Sequence, residues 1–178
     1  MQKQLIIKEL AERHAIFVEF ILSLSEEQFM FSYKNKWTAG QQMDHIYRAI
    51  SILPLAYKLP KSITTLFFGR VNRPLLGYDE LVKKYQARLN KGAKASTLFI
   101  PKKITYNDRH VLAGKLLQKV GKINAAIDAI PDEALDSSML PHPILGKLTY
   151  REMLYFTMYH VNHHYGLLKQ YLAESSPA

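Results

Sequence analysis

Cysteine is absent from the 178 residues of the chain. Its absence excludes disulfide bonds, thiolate ligands for zinc and a cysteine nucleophile. If the protein uses thiol chemistry, the thiol therefore has to arrive as a separate molecule. The absence is also compatible with the reducing cytosol, where disulfides rarely persist.

Long apolar runs are missing as well. No stretch approaches the roughly 18 uncharged apolar residues that a membrane span needs. The N-terminal sequence MQKQLIIKELAERHAIF has neither a long apolar run nor the small-residue cleavage site of a signal peptide. We therefore expect no membrane span and a cytoplasmic location. The hydrophobic fraction of 48% suffices for a buried core, and the length predicts one domain over residues 1–178.

Acidic residues are scarce in the middle of the chain. Residues 57–107 contain eleven of the 24 Lys and Arg residues but only two of the 15 Asp and Glu residues. This segment therefore carries the whole net charge of +9, and the remainder of the chain is neutral. Because a run of one charge is most often a solvated face, the charge alone assigns no partner to the segment.

Four segments have the apolar spacing of amphipathic helices. Two of them begin with a capping box, formed by Thr38 with Gln41 and by Thr149 with Glu152. Prolines end the second and the third segment. The predicted helices cover residues 3–24, 38–54, 108–130 and 149–173.

A long connection, residues 57–107, joins the second and third predicted helices. The sequence YDELVKKYQARL within it favours a short helix, and the rest, with its prolines and glycines, is interpreted as loop. Structureless connections longer than about 15 residues are uncommon in compact domains. We therefore interpret this basic crossover as a lid, a binding insertion or an oligomer contact. The helix order around it predicts an all-α fold, a four-helix bundle.

Three of the seven histidines fall within five positions of the last predicted helix, in the segment MYHVNHHYGLLKQ. At about 100° per residue, His160 and His164 lie in the middle of the apolar face, whereas His163 points roughly 100° away. A buried imidazole needs partners for both ring nitrogens. A divalent metal ion shared between positions i and i+4 would supply one partner to each ring. Ordinary hydrogen bonding in the core is the alternative.

A third ligand should come from another helix. His45, at the edge of the apolar arc of the second helix, is the best candidate, and His14 in the first helix competes with it. Three histidines leave an open position for water or substrate, as catalytic metal sites do. Helical zinc proteases have Glu directly after the first histidine, and Val161 in that position excludes this class.

Three segments together resemble the DinB/YfiT-like family. WTAGQQMDHI is similar to the family segment W-[ST]-x-x-[EQ]-x-x-x-H-[LI]. HPILGKLTYREMLYFTMYHVNHH is similar to the closing segment, in which an HP-x-[FL]-G turn precedes a helix that carries HxxxH. LSEEQFMFSYKNKWT resembles the lead-in to the tryptophan. The resemblance spans essentially the whole chain and is weakest over the crossover.

The resemblance implies a four-helix bundle in which His45, His160 and His164 hold one divalent metal ion, usually nickel or zinc. It also implies a homodimer, since members often form dimers. Characterised relatives include S-transferases that use bacillithiol, mycothiol or glutathione, and a mycothiol-dependent maleylpyruvate isomerase. Other members are described as metal-dependent hydrolases. The family often has Gln three residues after the last ligand, where this chain has Leu167, and the nearest glutamine is Gln170.

The main functional hypothesis is therefore a metal-dependent, thiol-dependent S-transferase that acts on a small molecule. The metal would lower the pKa of a bound thiol. Arg70 and Arg73 are candidates to bind the carboxylates of a small anionic thiol, and Tyr47 and Tyr165 are candidates to line the substrate pocket. For the two arginines, a solvated loop is the alternative.

Three other hypotheses stay open. The protein could be a hydrolase that uses metal-bound water, although no carboxylate falls on the ligand faces to act as a base. The metal could be structural and only join the helices. The chain could also be a non-catalytic module whose basic crossover, with interleaved aromatic residues, contacts an anionic partner such as a membrane surface. Nucleic acid is not expected, because no nucleic-acid-binding motif is present.

Overall fold

Helices dominate the fold. The computed structural model describes residues 1–174, so the last four residues of the predicted domain, 175–178, lie outside the described part. In chain order the elements are α1 (Lys3–Leu22), α2 (Glu26–Met30), α3 (Ala39–Ile50), α4 (Leu53–Ala56), α5 (Lys61–Phe68), α6 (Tyr78–Asn90), α7 (Arg109–Asp128), α8 (Asp132–Ser137), β1 (Met139–His142), β2 (Gly146–Thr149) and α9 (Tyr150–Ala173).

Four of these helices form the bundle. α1 packs against α7 and α9, and α3 packs against the same two helices. The apolar spacing of α1 follows its buried side, since Leu10, Phe17 and Ile21 are almost completely excluded from solvent. The predicted all-α four-helix bundle, with a long connection between its second and third helices, is confirmed.

The capping boxes fix where two bundle helices begin. The Thr38 hydroxyl accepts the Gln41 backbone N–H at 3.3 Å, and the Gln41 side chain accepts the Thr38 N–H at 3.1 Å. Thr149 and Glu152 form the same pair of bonds at the start of α9. These bonds satisfy N–H groups that have no partner inside the helix. Within residues 1–174, no helix combines the length and the apolar character needed to cross a bilayer.

The crossover contains more helix than the sequence predicts. α6 coincides with the predicted short helix, but α5 occupies a stretch that was interpreted as loop. Only eight residues separate Pro60 from Gly69 there, and the apolar side chains Leu66 and Phe67 are 79% and 70% exposed. No buried apolar stripe therefore marks α5 in the sequence, and the loop interpretation was wrong at this point.

A short hairpin precedes the last bundle helix. β1 and β2 pair antiparallel, with Met139 opposite Thr149 and His142 opposite Gly146. Gly146 has φ of 81°, a left-handed conformation that favours glycine at this turn. The sequence predicts only a turn here, because strands of four residues are too short to show alternation. The hairpin ends at Thr149, directly before the first residue of α9, and holds His142 near that helix.

Candidate metal centre

Three histidine side chains meet between α3 and α9. Nε2 of His160 lies 3.1 Å from Nε2 of His45 and 3.2 Å from Nε2 of His164. The possible ligand atoms of all three lie within 4.8 Å of one another. All three side chains are buried. The cluster joins the pair on α9 to the candidate from α3.

Hydrogen bonds on the far side of two rings fix their tautomers. His45 Nδ1–H donates to the Phe99 carbonyl at 2.7 Å, because a carbonyl can only accept. His164 Nδ1–H donates to Gln42 Oε1 at 2.9 Å. The Gln42 amide is oriented by its own NH₂ group, which donates to the Trp37 carbonyl at 3.3 Å. Both histidines therefore present an unprotonated Nε2 to His160.

This arrangement fits a metal ion. An imidazole nitrogen binds such an ion at about 2.0–2.1 Å. If the nitrogen–metal–nitrogen angle lies between 90° and the tetrahedral value, two such nitrogens are roughly 2.9–3.4 Å apart. The separations of 3.1 Å and 3.2 Å from His160 fall in that interval, and the ligand atoms of the remaining pair, His45 and His164, lie within 4.8 Å of each other. Without an ion, one proton on His160 would have to be shared between two acceptors. A divalent cation accepts all three lone pairs, so the group could bind a metal ion.

The electrostatic environment keeps the three rings neutral. Burial lowers the pKa of His160 and His164 well below the usual value, and the neighbouring imidazoles lower both further. Burial also lowers the pKa of His45, partly offset by the hydrogen bond to Phe99. Neutral imidazole is the state that binds a metal, so no proton has to be displaced near pH 7.

His14, the competing candidate, does not join the cluster. Its Nδ1–H donates to the Leu10 carbonyl one turn earlier at 2.7 Å. Its Nε2 is buried and has no hydrogen-bond partner among the described residues. Burial lowers the pKa of His14 to about 4. His14 is thus a neutral core histidine on α1.

We expect a His14→Leu variant to resist acid better than the parent protein, both in metal-free form. Folded His14 stays neutral down to a pKa of about 4, whereas an unfolded histidine takes up a proton below about pH 6.5. His14 therefore reduces stability as the pH falls from 6.5 towards 4. Between pH 7.5 and pH 4.5 the parent should lose about 2.5 kcal/mol more unfolding free energy than the variant. Urea unfolding at both pH values measures this, and equal losses would contradict the assignment.

A cavity of about 230 Å³ opens beside the three histidines. α3, α9 and the β1–β2 hairpin supply part of its wall, through residues such as Ile50, Met153 and Ile144. The crossover supplies another part, through Tyr85 and Leu89 of α6 and a 3₁₀ turn that ends at Phe99. The crossover is thus one wall of the cavity.

Two buried carboxylates attach the crossover to the bundle. Asp44 accepts the Lys102 backbone N–H at 2.8 Å, and so fixes the segment that carries the Phe99 carbonyl. Glu152 accepts two bonds from the Arg73 guanidinium, at 2.7 Å and 2.6 Å, and one from the Leu76 N–H at 2.8 Å. These anchors flank α6 in the chain and hold it against α9.

The sequence as a whole matches one known family. The model of the DinB superfamily matches residues 9–168, a span that includes all three clustered histidines. The chain belongs to the DinB superfamily. This confirms the family resemblance of the three segments. No curated protein and no solved structure matches the chain.

The structure does not bring the four predicted substrate-binding residues of this DinB protein to the cavity. Arg73 is bound to Glu152. Arg70 is exposed and borders a separate surface hollow. Tyr165 packs edge-on against Phe20 at a ring-centroid distance of 5.1 Å, and Tyr47 packs partly buried against the core. Their substrate-binding role stays a prediction that this placement does not favour.

Several residues around the DinB histidines were not found from the sequence. Trp37 stacks on His164 at a centroid distance of 6.3 Å and also lines the cavity. Gln42 is the polar neighbour of His164 and lies three residues before His45 on α3. Because residues three apart share a helix face, this spacing could have indicated that Gln42 lies near the histidines. Gln170, the glutamine nearest to the family position, instead bonds Glu174 on the surface. The Phe99 contact uses a backbone carbonyl and has no signature in the sequence.

Proposed function

We propose that this DinB protein is a metal-dependent enzyme that transfers the sulfur of a small thiol to an electrophilic substrate. The observation that supports the proposal is the convergence of three neutral imidazoles on one point at the wall of a cavity. His45, His160 and His164 would hold one divalent ion, nickel or zinc. Such an ion lowers the pKa of a bound thiol or water near neutral pH.

The other residues of the site position the ligands and exclude water. Phe99 and Gln42 hold the rings of His45 and His164 through their Nδ1 atoms. Such outer contacts fix ring orientation and raise ligand basicity. The apolar side chains of the cavity wall keep bulk water from the point where the three Nε2 atoms meet.

The thiol would be a cosubstrate, because the chain has no cysteine. In the overall reaction a carbon–sulfur bond forms, the bond to the leaving group breaks with its electron pair, and the thiol proton is released. Ligand pockets for drug-sized molecules occupy roughly 300–1,000 Å³. A cavity of about 230 Å³ therefore takes a small substrate together with only the thiol-bearing end of a cosubstrate.

A metal-dependent hydrolase is the second candidate. His163 is half-buried at the border of the cavity, next to His164 at a centroid distance of 5.3 Å. A neutral imidazole there could accept a proton from an attacking water. Thiol transfer is favoured because, among the described residues, no carboxylate lines the cavity to assist that imidazole. For either reaction we also propose that the substrate is a small molecule, that the protein forms a homodimer and that it is located in the cytoplasm.

The test is thiol consumption in the presence of electrophiles. Untagged protein loaded with zinc or nickel would be mixed with glutathione, or another low-molecular-weight thiol, and a panel of alkyl halides and epoxides. We expect loss of free thiol, with formation of the thioether, in the loaded protein and none with His160→Ala. Ester or amide hydrolysis without thiol consumption would favour the hydrolase. If neither reaction occurs and the metal raises only the melting temperature, the ion is structural.

A further inference from the structure

Within residues 1–174, no charged side chain lies in the wall of the cavity beside the histidines. Of the described residues that line it, none is Asp, Glu, Lys or Arg. Most are aliphatic or aromatic, including Leu53, Leu89, Pro141 and Phe156. An ion that entered this space without a partner would lose its hydration and gain no countercharge. The walls therefore select against charged groups.

The basic crossover does not correct this bias. It supplies the cavity with Tyr85, Leu89 and Phe99, not with its lysines and arginines. Arg73 directs its guanidinium to Glu152, which is buried under it. The net charge of the segment therefore attracts anions to the outer surface and not to the space beside the histidines.

One wall residue is a hydrogen-bond donor of fixed direction. His142 Nδ1 accepts the backbone N–H groups of Ile144 and Leu145 at 3.2 Å and 3.0 Å, so Nδ1 bears no proton. The single proton of the neutral ring is therefore on Nε2. Among the described residues none accepts a hydrogen bond from that N–H. Hydroxyl groups of the wall, such as that of Tyr85, can rotate and either donate or accept, whereas His142 can only donate.

We propose that the cavity binds a small uncharged molecule with an apolar body and a hydrogen-bond-accepting group, and that His142 Nε2–H donates to that group. This inference rests on the proposed function, because it takes the bound molecule to be the electrophilic substrate. It adds the chemical class of that substrate. A carbonyl or ether oxygen meets the requirement for the acceptor. Its binding does not require the metal, so it can be measured separately from metal chemistry.

The single tryptophan of the chain provides the measurement. Trp37 lines the same cavity, so its fluorescence reports on occupancy. Three probes with one six-membered ring would be titrated into the full chain, with and without one equivalent of zinc: cyclohexanone, methylenecyclohexane and cyclohexanecarboxylate. We expect cyclohexanone to bind about fivefold to tenfold more tightly than methylenecyclohexane, the increment of one neutral hydrogen bond. In the metal-free chain, the carboxylate should bind at least about 100-fold more weakly than the ketone.

The His142→Phe variant tests the donor, and we expect its preference for the ketone over the hydrocarbon to be lost or reversed, because the ketone then gives up its hydration without gaining a hydrogen bond. Because that variant also removes an acceptor from the hairpin turn, nitrogen-15 NMR of the parent protein gives a second measurement. The His142 Nε2–H resonance should shift on addition of cyclohexanone and not of methylenecyclohexane. Equal binding of ketone and hydrocarbon by the parent, tight binding of the carboxylate without metal, or no binding of any probe would overturn the proposal. A retained ketone preference in a chain that takes up no metal would instead refute the proposed metal chemistry alone.

Discussion

Replacing His160 with alanine is expected to abolish the stabilisation of this DinB protein by zinc or nickel. His160 is the central member of the cluster, since its Nε2 is near those of both other histidines. In the parent, metal at 1,000 times its dissociation constant should raise the unfolding free energy by about 4 kcal/mol. For a chain of this size, that corresponds to a rise in melting temperature of roughly 8–16 °C. The variant should show a rise of no more than about 2 °C in a thermal melt followed by circular dichroism.

The matched control is His163→Ala. His163 lies on the same helix, three residues along, but it is outside the group of converging ligand atoms. We expect this variant to retain at least three quarters of the zinc-dependent rise of the parent. If both variants lose the rise, metal binding also requires His163, and the three-histidine assignment is incomplete. If neither loses it, His160 is no ligand.

Glu152→Gln is expected to lower the unfolding free energy by about 3 kcal/mol. The Glu152 side chain is 1% exposed and that of Arg73 is 29% exposed. Removing one partner of a buried ion pair costs about 3–5 kcal/mol, and the partial exposure of Arg73 favours the lower end. Amide hydrogen exchange in α6 should also become faster, because Glu152 holds the crossover through Arg73 and the Leu76 N–H.

Glu12→Gln provides the comparison for an exposed pair. Lys8 and Glu12 form an ion pair on α1 with side chains 66% and 54% exposed, and we expect a loss below about 1 kcal/mol. Burial alone would raise the pKa of Glu152, but Arg73 and two backbone N–H groups lower it below the usual value. The ionised Glu152 side chain therefore adds to the unfolding free energy at pH values above the pKa of an unfolded glutamate, about 4.3. This stabilisation is lost as the pH falls through the lower pKa of Glu152 in the folded protein. Equal losses for the two variants at pH 7 would mean that Glu152 does not anchor the crossover.

Local spacing was enough to predict much of the candidate site. His160 and His164 lie on one helix, so their separation is set by the helical repeat and not by the tertiary fold. The capping boxes at Thr38 and Thr149 use residues three apart, and both are present in the structure. These features depend only on neighbours in the chain, which is why the sequence was a good guide to them.

Features that depend on contacts between residues far apart in the sequence were harder to predict. Both His14 and His45 are buried on their own helices, so only the packing of α1 and α3 decides which one approaches α9. The Phe99 carbonyl reaches His45 across 54 positions, and a backbone oxygen gives no residue-type signal. Arg73 meets Glu152 across 79 positions. Glu152 already had a role as a capping residue, so its second role could not be recognised.

The metal content of the protein tests the central claim most directly. Untagged protein, purified without chelator, would be assayed by elemental analysis, and then stripped and titrated with zinc and nickel. We expect about one equivalent of metal per chain, and an X-ray absorption spectrum with imidazole nitrogens at about 2.0–2.1 Å from the ion. No metal in the purified protein and no uptake on titration would contradict the claim, and would leave His45, His160 and His164 as hydrogen-bonded core residues.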